Sequence, residues 1–232
     1  MKSIFQTVLA CLLLNVLALS LPAKAQTPPS PGELAAYTGL YRAVVSGSAS
    51  EIGKFAADKA ALAATDSNGR TPLHVATFLK RREVIALLIK AGAKKAALDN
   101  HKYDAVTIAA VADDPQTLKT LLDNGASAKL ITSIYDGTAL IAAAHLGHEE
   151  CVRLLIRAGA PLDHVNNLTW TALMESIVLG NGGKRHQATL KYLLDAKANA
   201  NIADRQGVSP LAHARALGYG EMVKMLEQSS AK

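Results

Sequence analysis

The sequence predicts an all-α solenoid of about six stacked helix-turn-helix units with short hairpin-like loops. A helix-capping residue recurs at Thr71, Asp104, Thr138, Thr171 and Ser209, with separations of 33, 34, 33 and 38 residues. After each cap come an apolar segment, a short turn and a second apolar segment that carries two leucines or a close equivalent. Half of the 232 residues are apolar and only 4% are aromatic, which favours closely packed small helices over a sheet sandwich.

The N-terminus, residues 1–25, is predicted to be a targeting segment. Lys2 supplies a positive start, residues 4–21 are largely apolar, and Ala23-Lys24-Ala25 gives a small-x-small cleavage pattern before Gln26. We therefore expect a cleaved signal peptide, a periplasmic location and no stable membrane span after cleavage. The alternative is an uncleaved segment that anchors the protein at the inner membrane.

Charge and cysteine content narrow the function classes. The formal net charge is +6 and the basic residues are dispersed, whereas nucleic-acid binding needs a concentrated basic stripe. We therefore predict no nucleic-acid partner. Cleavage would leave Cys151 as the only cysteine, so no internal disulfide can form, and its place in the apolar stripe of a helix predicts a buried, inert thiol.

The folded part divides into units after a short proline-rich tether. Residues 26–32 contain three prolines and are predicted to be extended, with folded structure beginning near Glu33. The units are approximately residues 33–65, 66–98, 99–132, 133–165, 166–203 and 204–232. The first lacks the capping motif and the last ends after its second helix, as terminal capping repeats do.

The second unit carries the clearest motif. Asp66-Ser67-Asn68-Gly69 supplies turn chemistry, and Thr71-Pro72-Leu73-His74-Val75-Ala76 follows it. Thr71 can cap the first helix, with Pro72 at its first position. This hexapeptide resembles the ankyrin repeat signature. The resemblance implies a stacked solenoid that serves as a protein-binding scaffold, and it implies that His74 hydrogen-bonds to the backbone of a neighbouring loop.

Two units depart from the pattern. The third has Tyr103-Asp104-Ala105-Val106-Thr107 where the motif should stand, so we expect a looser unit. The fifth replaces the short inter-helix turn with Gly180-Asn181-Gly182-Gly183 and then Lys184-Arg185-His186. Together with Trp170-Thr171-Ala172-Leu173-Met174-Glu175, this stretch resembles a group of bacterial ankyrin proteins that has exported members.

No residue pattern predicts a catalytic, metal or cofactor site. The seven histidines are spread over five units without an H-x-x-x-H pair or a Cys–His cluster, and no G-x-S-x-G motif is present. We therefore expect no enzymatic activity, no cofactor, a protein partner and a monomer. The alternative is a ligand-binding module or enzyme centred on Glu175 and the loop of residues 182–186, where the basic residues could receive an anion.

The resemblance to ankyrin repeats places partner contacts on the loop tips and on the exposed part of each first helix, which together line a concave face. Large aromatic groups are the usual energetic anchors of such surfaces. We favour recognition for Tyr103 and Tyr135, whereas Trp170 could equally stiffen the stack. Carried over unit by unit, the predicted partner-binding residues are Asn68, Arg70, Phe78, Leu79, His101, Tyr103, Tyr135, His145, Asn167, Trp170, Leu179, Arg205 and Gln206.

Overall fold

The computed structural model describes residues 26–230, and the predicted signal segment lies outside them. Its helices precede and follow one small antiparallel strand pair, in which Ile131 lies opposite Thr138. In chain order the elements are α1 Pro31–Ala36, α2 Gly39–Ser46, α3 Ala49–Lys54, α4 Lys59–Ala63, α5 Pro72–Phe78, α6 Arg82–Lys90, α7 Ala105–Val111, α8 Pro115–Asp123, β1 Ile131–Thr132, β2 Gly137–Thr138, α9 Ala139–His145, α10 Glu149–Arg157, α11 Ala172–Val178, α12 Lys184–Asp195, α13 Pro210–Ala216 and α14 Gly220–Ser230.

The helices form two rows that run along the solenoid. The first helices of successive units, α2, α5, α7, α9, α11 and α13, each pack against the next. The second helices, α3, α6, α8, α10, α12 and α14, do the same in a parallel row. Each unit thus buries its apolar face only against its neighbours, as expected for a solenoid. The predicted fold is confirmed.

The first helices begin where the capping residues predicted. Side-chain oxygens of Thr71, Thr138, Thr171 and Ser209 each accept a hydrogen bond from the backbone N–H three residues later. His74 also behaves as the resemblance implied, because its Nε2 lies 3.0 Å from the carbonyl oxygen of Ala97 in the following loop. Burial lowers the pKa of His74, which favours the neutral ring.

The third unit is not the loose unit that the missing histidine predicted. Thr107 stands at the His74 position, and its Oγ1 lies 3.0 Å from Oγ1 of Thr132 in the next hairpin. The link between one first helix and the following loop is therefore kept with different atoms. Helix α7 is buried along nearly its whole length, from Ala105 to Ala110.

One side chain at the base of each hairpin fixes its shape. Asp66 Oδ1 accepts hydrogen bonds of 2.9 Å from the backbone N–H groups of Asn68 and Arg70. The same pair of bonds, to the second and fourth residues onward, recurs in the later hairpins. The residues that accept them are Asp99, Ser133, Asn166 and Asp204. Short polar side chains that bond their own backbone are the expected turn formers, and here they repeat with the unit.

The N-terminal cap begins earlier than predicted and is not a free tether. Ser30 caps α1 in a capping box with Glu33, so the helix starts at Pro31 inside the predicted tether. Residues 26–30 form no helix or strand, and they hydrogen-bond to the second and third units. No helix in the described part of the chain is long and apolar enough to cross a membrane.

Arg70 is buried, which corrects its prediction as a partner-binding residue. Its side chain is 0% exposed; Nη2 lies 2.5 Å from Glu33 Oε1, and Nε lies 2.7 Å from Asp66 Oδ2. Tyr37 donates a hydrogen bond of 2.5 Å to the same Asp66 oxygen. Arg70 therefore holds the N-terminal cap on the second unit. This pairing could not be predicted from the sequence pattern, because Glu33 lies far from Arg70 along the chain.

Replacing Asp104 with threonine should stabilise the protein by about 1–2 kcal/mol at neutral pH, since Asp104 buries a carboxylate oxygen, Oδ2, that has no hydrogen-bond partner among the described residues. Burial raises the pKa of Asp104, so the folded state is destabilised most at pH values where the carboxylate is ionised. The gain should therefore shrink as the pH falls towards the ordinary aspartate value of 3.8. Urea unfolding at several pH values measures it. The reciprocal variant Thr138→Asp should destabilise, and equal stability of all three proteins would contradict the explanation.

Replacing Arg70 with methionine keeps the apolar stem but leaves Asp66 without its charged partner, and should cost about 3–5 kcal/mol of unfolding free energy at pH 7. Burial alone would raise the pKa of Asp66, but hydrogen bonds from Tyr37 and Arg70 outweigh it and hold the pKa below its ordinary value. The stabilisation that Arg70 gives through Asp66 is therefore fully present above the ordinary aspartate pKa. It is lost as the pH falls through the lowered pKa of Asp66 in the folded protein.

The matched control for Arg70→Met is Lys119→Met, which breaks an exposed pair with Asp123 on α8. Exposed pairs of this kind contribute about 1 kcal/mol or less. Chemical denaturation followed by circular dichroism compares the two variants. Similar small losses in both would mean that the cap does not depend on Arg70.

Candidate protein-binding face

The hairpins of successive units are joined into one continuous edge, which we call the hairpin row: residues 66–70, 99–103, 133–137, 166–170 and 204–208. The backbone N–H of Asn100 donates to the carbonyl of Asn68, and that of Asn167 donates to the carbonyl of Tyr135, both at 3.0 Å. Ser133 N–H donates to the Lys102 carbonyl at 2.9 Å. Arg205 extends the row, because its Nη2 lies 3.1 Å from the Asn167 carbonyl oxygen. Tips that are adjacent in space but distant in sequence therefore form one surface.

The fourth unit carries an exposed apolar group at this row, the unit-four tip, formed by Ile134 and Tyr135 of the row and by Ile131 of the adjoining strand β1. The exposed fractions of Ile131, Ile134 and Tyr135 are 55%, 60% and 44%. Tyr135 was predicted as a contact residue and is accessible. Ile131 and Ile134 were missed, although isoleucines in and beside a turn are themselves a signal, since the equivalent tips of the other units are mostly polar.

The other predicted residues divide by accessibility. Asn167, Arg205 and Gln206 are exposed. Asn68, Phe78, Leu79, His101, His145, Trp170 and Leu179 are half-buried. Asn68 and His101 already have partners near the N-terminus, because Asn68 Nδ2 donates to Glu33 Oε1 at 2.9 Å and His101 Nε2 lies 3.0 Å from Thr27 Oγ1. These two positions are accessible only in part.

Tyr103 is buried, which corrects its prediction as a recognition residue. Only 8% of it is exposed, and burial raises the pKa of its hydroxyl. Its backbone N–H donates to Asp99 Oδ1 at 2.9 Å, the bond that the equivalent residue makes in the other hairpins. Together with Arg70, it leaves the predicted surface.

Glu175 is a buried acid with two polar partners. It is 4% exposed; Oε1 accepts a hydrogen bond of 2.7 Å from Asn166 Nδ2, and Oε2 lies 3.2 Å from His145 Nδ1. His145 belongs to the preceding unit and Asn166 to the base of Glu175's own hairpin. The carboxylate thus fastens two units together, and both of its oxygens are engaged.

The lengthened turn after Gly180 is fastened by hydrogen bonds on all sides. The ring of His186 is buried; Nε2 lies 3.0 Å from the His145 carbonyl oxygen and Nδ1 lies 3.0 Å from Asn181 Oδ1. Tyr219 of the last unit donates to the Gly180 carbonyl at 2.9 Å. Arg185, which the alternative function would have used to bind an anion, is paired with Glu149 and Asp113 at 2.6 and 2.7 Å. These contacts join units three to six. They favour a structural role for the turn rather than an anion-binding role.

Other chemically active groups give no site. Cys151 is fully buried, as predicted, and burial raises the pKa of its thiol to about 12. Between residues 26 and 230, no group of three or more His, Cys, Asp or Glu side chains could hold a metal ion. A groove of about 780 Å³ lies between α12 and α14, and neither Glu175 nor residues 182–186 line it.

Comparison with known families agrees with this architecture. The family described as "Ankyrin repeats (3 copies)" matches residues 106–201, and the family described as "Ankyrin repeat" matches residues 68–100. Proteins of this family are generally protein–protein interaction scaffolds. Its members are typically non-catalytic.

Individual proteins of known sequence or structure are similar over most of the chain. The ankyrin repeat protein YahD of Escherichia coli (strain K12) is 29% identical over 72% of this chain and 83% of that protein. The B-cell lymphoma 3 protein homolog of Mus musculus is 32% identical over 70% of this chain, which spans 36% of that protein.

A crystallised ankyrin repeat domain from Acinetobacter baumannii AYE is 41% identical, with a TM-score of 0.76 over 82% of this chain and 97% of that domain. The ankyrin repeat domain of Bcl-3, a member of the IkappaB protein family, is 30% identical with a TM-score of 0.74 over 84% of this chain and 86% of that domain. The motif residues, the two rows of helices and these similarities lead to one conclusion: the chain belongs to the ankyrin repeat family.

Proposed function

We propose that the protein is a non-catalytic interaction scaffold of the periplasm that binds a partner protein through the hairpin row and the exposed ends of its first helices. The unit-four tip carries this proposal. Ile131, Ile134 and Tyr135 place three large apolar side chains in solvent on a two-stranded hairpin. Hydration of such a group is costly, and covering it with a partner would recover that free energy.

The surroundings of the tip support the same surface. Asn167 lies beside the tip, and its Nδ2 donates a hydrogen bond of 3.2 Å to the Ile134 carbonyl. Trp170, in the same hairpin as Asn167, is half-exposed. An apolar centre with a polar margin is the usual composition of a protein-binding site. The residues of the alternative site, Glu175 and Arg185, are occupied by bonds within the fold, which favours binding over catalysis.

The double variant Ile134→Ser, Tyr135→Ser should weaken partner binding by about 2 kcal/mol or more, or roughly 30-fold, since interface anchors contribute on this scale. The partner is first captured by a photo-crosslinking residue placed at Asn167 in living cells and is then titrated against purified protein. Leu146→Ser is the matched control: it also removes an exposed apolar group from the fourth unit, but from the inter-helix turn. Equal affinity of the double variant and the control would contradict the proposed face.

The proposed location rests on the pattern of residues 1–25. Cleavage after Ala25 should give a periplasmic protein whose intact mass corresponds to a chain that begins at Gln26, and Ala25→Asp should leave a heavier, membrane-associated form. Mass spectrometry of the two cell fractions measures this. A wild-type protein that keeps residues 1–25 in the membrane fraction would instead support the anchored alternative.

Light scattering on the purified protein should give the mass of one chain, since we propose a monomer.

A further inference from the structure

Residues 26–30, which we call the strap, lie in the groove between the hairpin row and the first helices of units two and three. Gln26 Nε2 donates to the Ile108 carbonyl on α7 at 2.7 Å. Thr27 Oγ1 lies 3.0 Å from His101 Nε2, and the Thr27 carbonyl accepts a hydrogen bond of 2.8 Å from Arg70 Nη1. Three contacts thus join the strap to two hairpins and one helix.

The contacts are those by which a bound peptide would be recognised. The strap forms no helix or strand and Ser30 is extended, while Pro28 and Pro29 restrict their own and the preceding residues to extended conformations. It therefore loses little conformational freedom when it is held in the groove. It offers a side-chain amide, a hydroxyl and a main-chain carbonyl, and the groove offers a free carbonyl lone pair, an imidazole nitrogen and a guanidinium N–H. Recognition of extended proline-containing segments by such complementary groups is a recurring binding mode.

We propose that the strap is an internal ligand, and that this part of the groove takes an extended, uncharged, proline-containing segment of a partner protein that displaces it. This inference rests on the proposed function, because it assigns the partner's chemistry on the same face. The partner must supply a carbonyl to Arg70, whose buried Nη1 would lose its acceptor when the strap leaves. Until then the strap, attached through α1, competes from within the same chain at high effective concentration.

The test uses a synthetic peptide of the sequence Gln-Thr-Pro-Pro-Ser-Pro-Gly, identical to residues 26–32, blocked at both ends. It is titrated against the protein purified from cells that express the full chain, and against a loosened variant in which residues 26–29 are all glycine. The signals of the His101 ring and the Ile108 carbonyl are followed by nuclear magnetic resonance. A peptide in which valine replaces threonine, which lacks only the hydroxyl, is the matched control ligand.

We expect both signals to differ between the two proteins before the peptide is added. The peptide should then return the signals of the loosened variant towards their wild-type positions, and should bind wild type at least about tenfold more weakly, because the occupied groove reduces apparent affinity. The valine peptide should bind the loosened variant more weakly than the threonine peptide. Thr27→Ser, which keeps the hydroxyl, should behave as wild type.

Identical signals in both proteins, or equal affinity of the peptide for both, would overturn the inference. So would failure of the peptide to bind a loosened variant that keeps its helical circular dichroism and its cooperative thermal transition. If that variant does not fold, Thr27→Val replaces it, because it removes the hydroxyl of the strap and leaves the groove unchanged. The threonine peptide should then bind Thr27→Val more tightly than wild type, and equal affinity for the two proteins would again overturn the inference. None of these results bears on the unit-four tip. The proposed function is therefore tested separately, by the partner affinity of the double variant Ile134→Ser, Tyr135→Ser.

Discussion

The stack depends on the side chain at the base of each hairpin. One oxygen of Asp66, Asp99, Ser133, Asn166 or Asp204 accepts two backbone N–H groups and so fixes the turn. A fixed turn places the next first helix at a constant distance, which lets small residues such as Ala76 and Ala109 bring adjacent helices close. Without that spacing, a single unit would expose its apolar face to water.

The same side chains also explain how the units differ. Where this side chain is Asp or Asn, one oxygen makes the turn and the second polar atom is available for another partner, whereas Ser133 has a single oxygen. In unit two it meets Arg70, in unit five the Asn166 amide meets Glu175, and in unit six the Asp204 carboxylate lies 2.7 Å from His213 Nε2. One repeated position therefore fastens the hairpin to its own first helix in units five and six, and in unit two it holds Arg70, which reaches the N-terminal cap. Buried polar groups of this kind are specific, because each would be costly without its own partner.

The features that recur from unit to unit could be predicted from the sequence. The period and the caps follow from local rules that act within one unit, the role of His74 follows from the resemblance to ankyrin repeats, and the structure confirms them. Arg70 was misplaced because its burial depends on contacts from outside the motif. Arg70 is covered by Glu33 and Thr27, residues of the cap and the strap. Carry-over from a repeat pattern cannot see such contacts, since the pattern describes a unit in the middle of a stack.

These contacts divide the candidate face into two parts. Over units two and three, the strap already hydrogen-bonds to the polar groups of the groove. These are the carbonyl of Ile108, the ring of His101 and the guanidinium of Arg70. At unit four the isoleucines and Tyr135 have no such cover, and their exposed fractions are among the largest of any apolar side chains described. A partner would gain free energy at once by covering the unit-four tip, whereas it must first replace existing hydrogen bonds in the groove. Contact at the tip would hold the partner close to the groove, where a segment of its chain can then exchange with the strap.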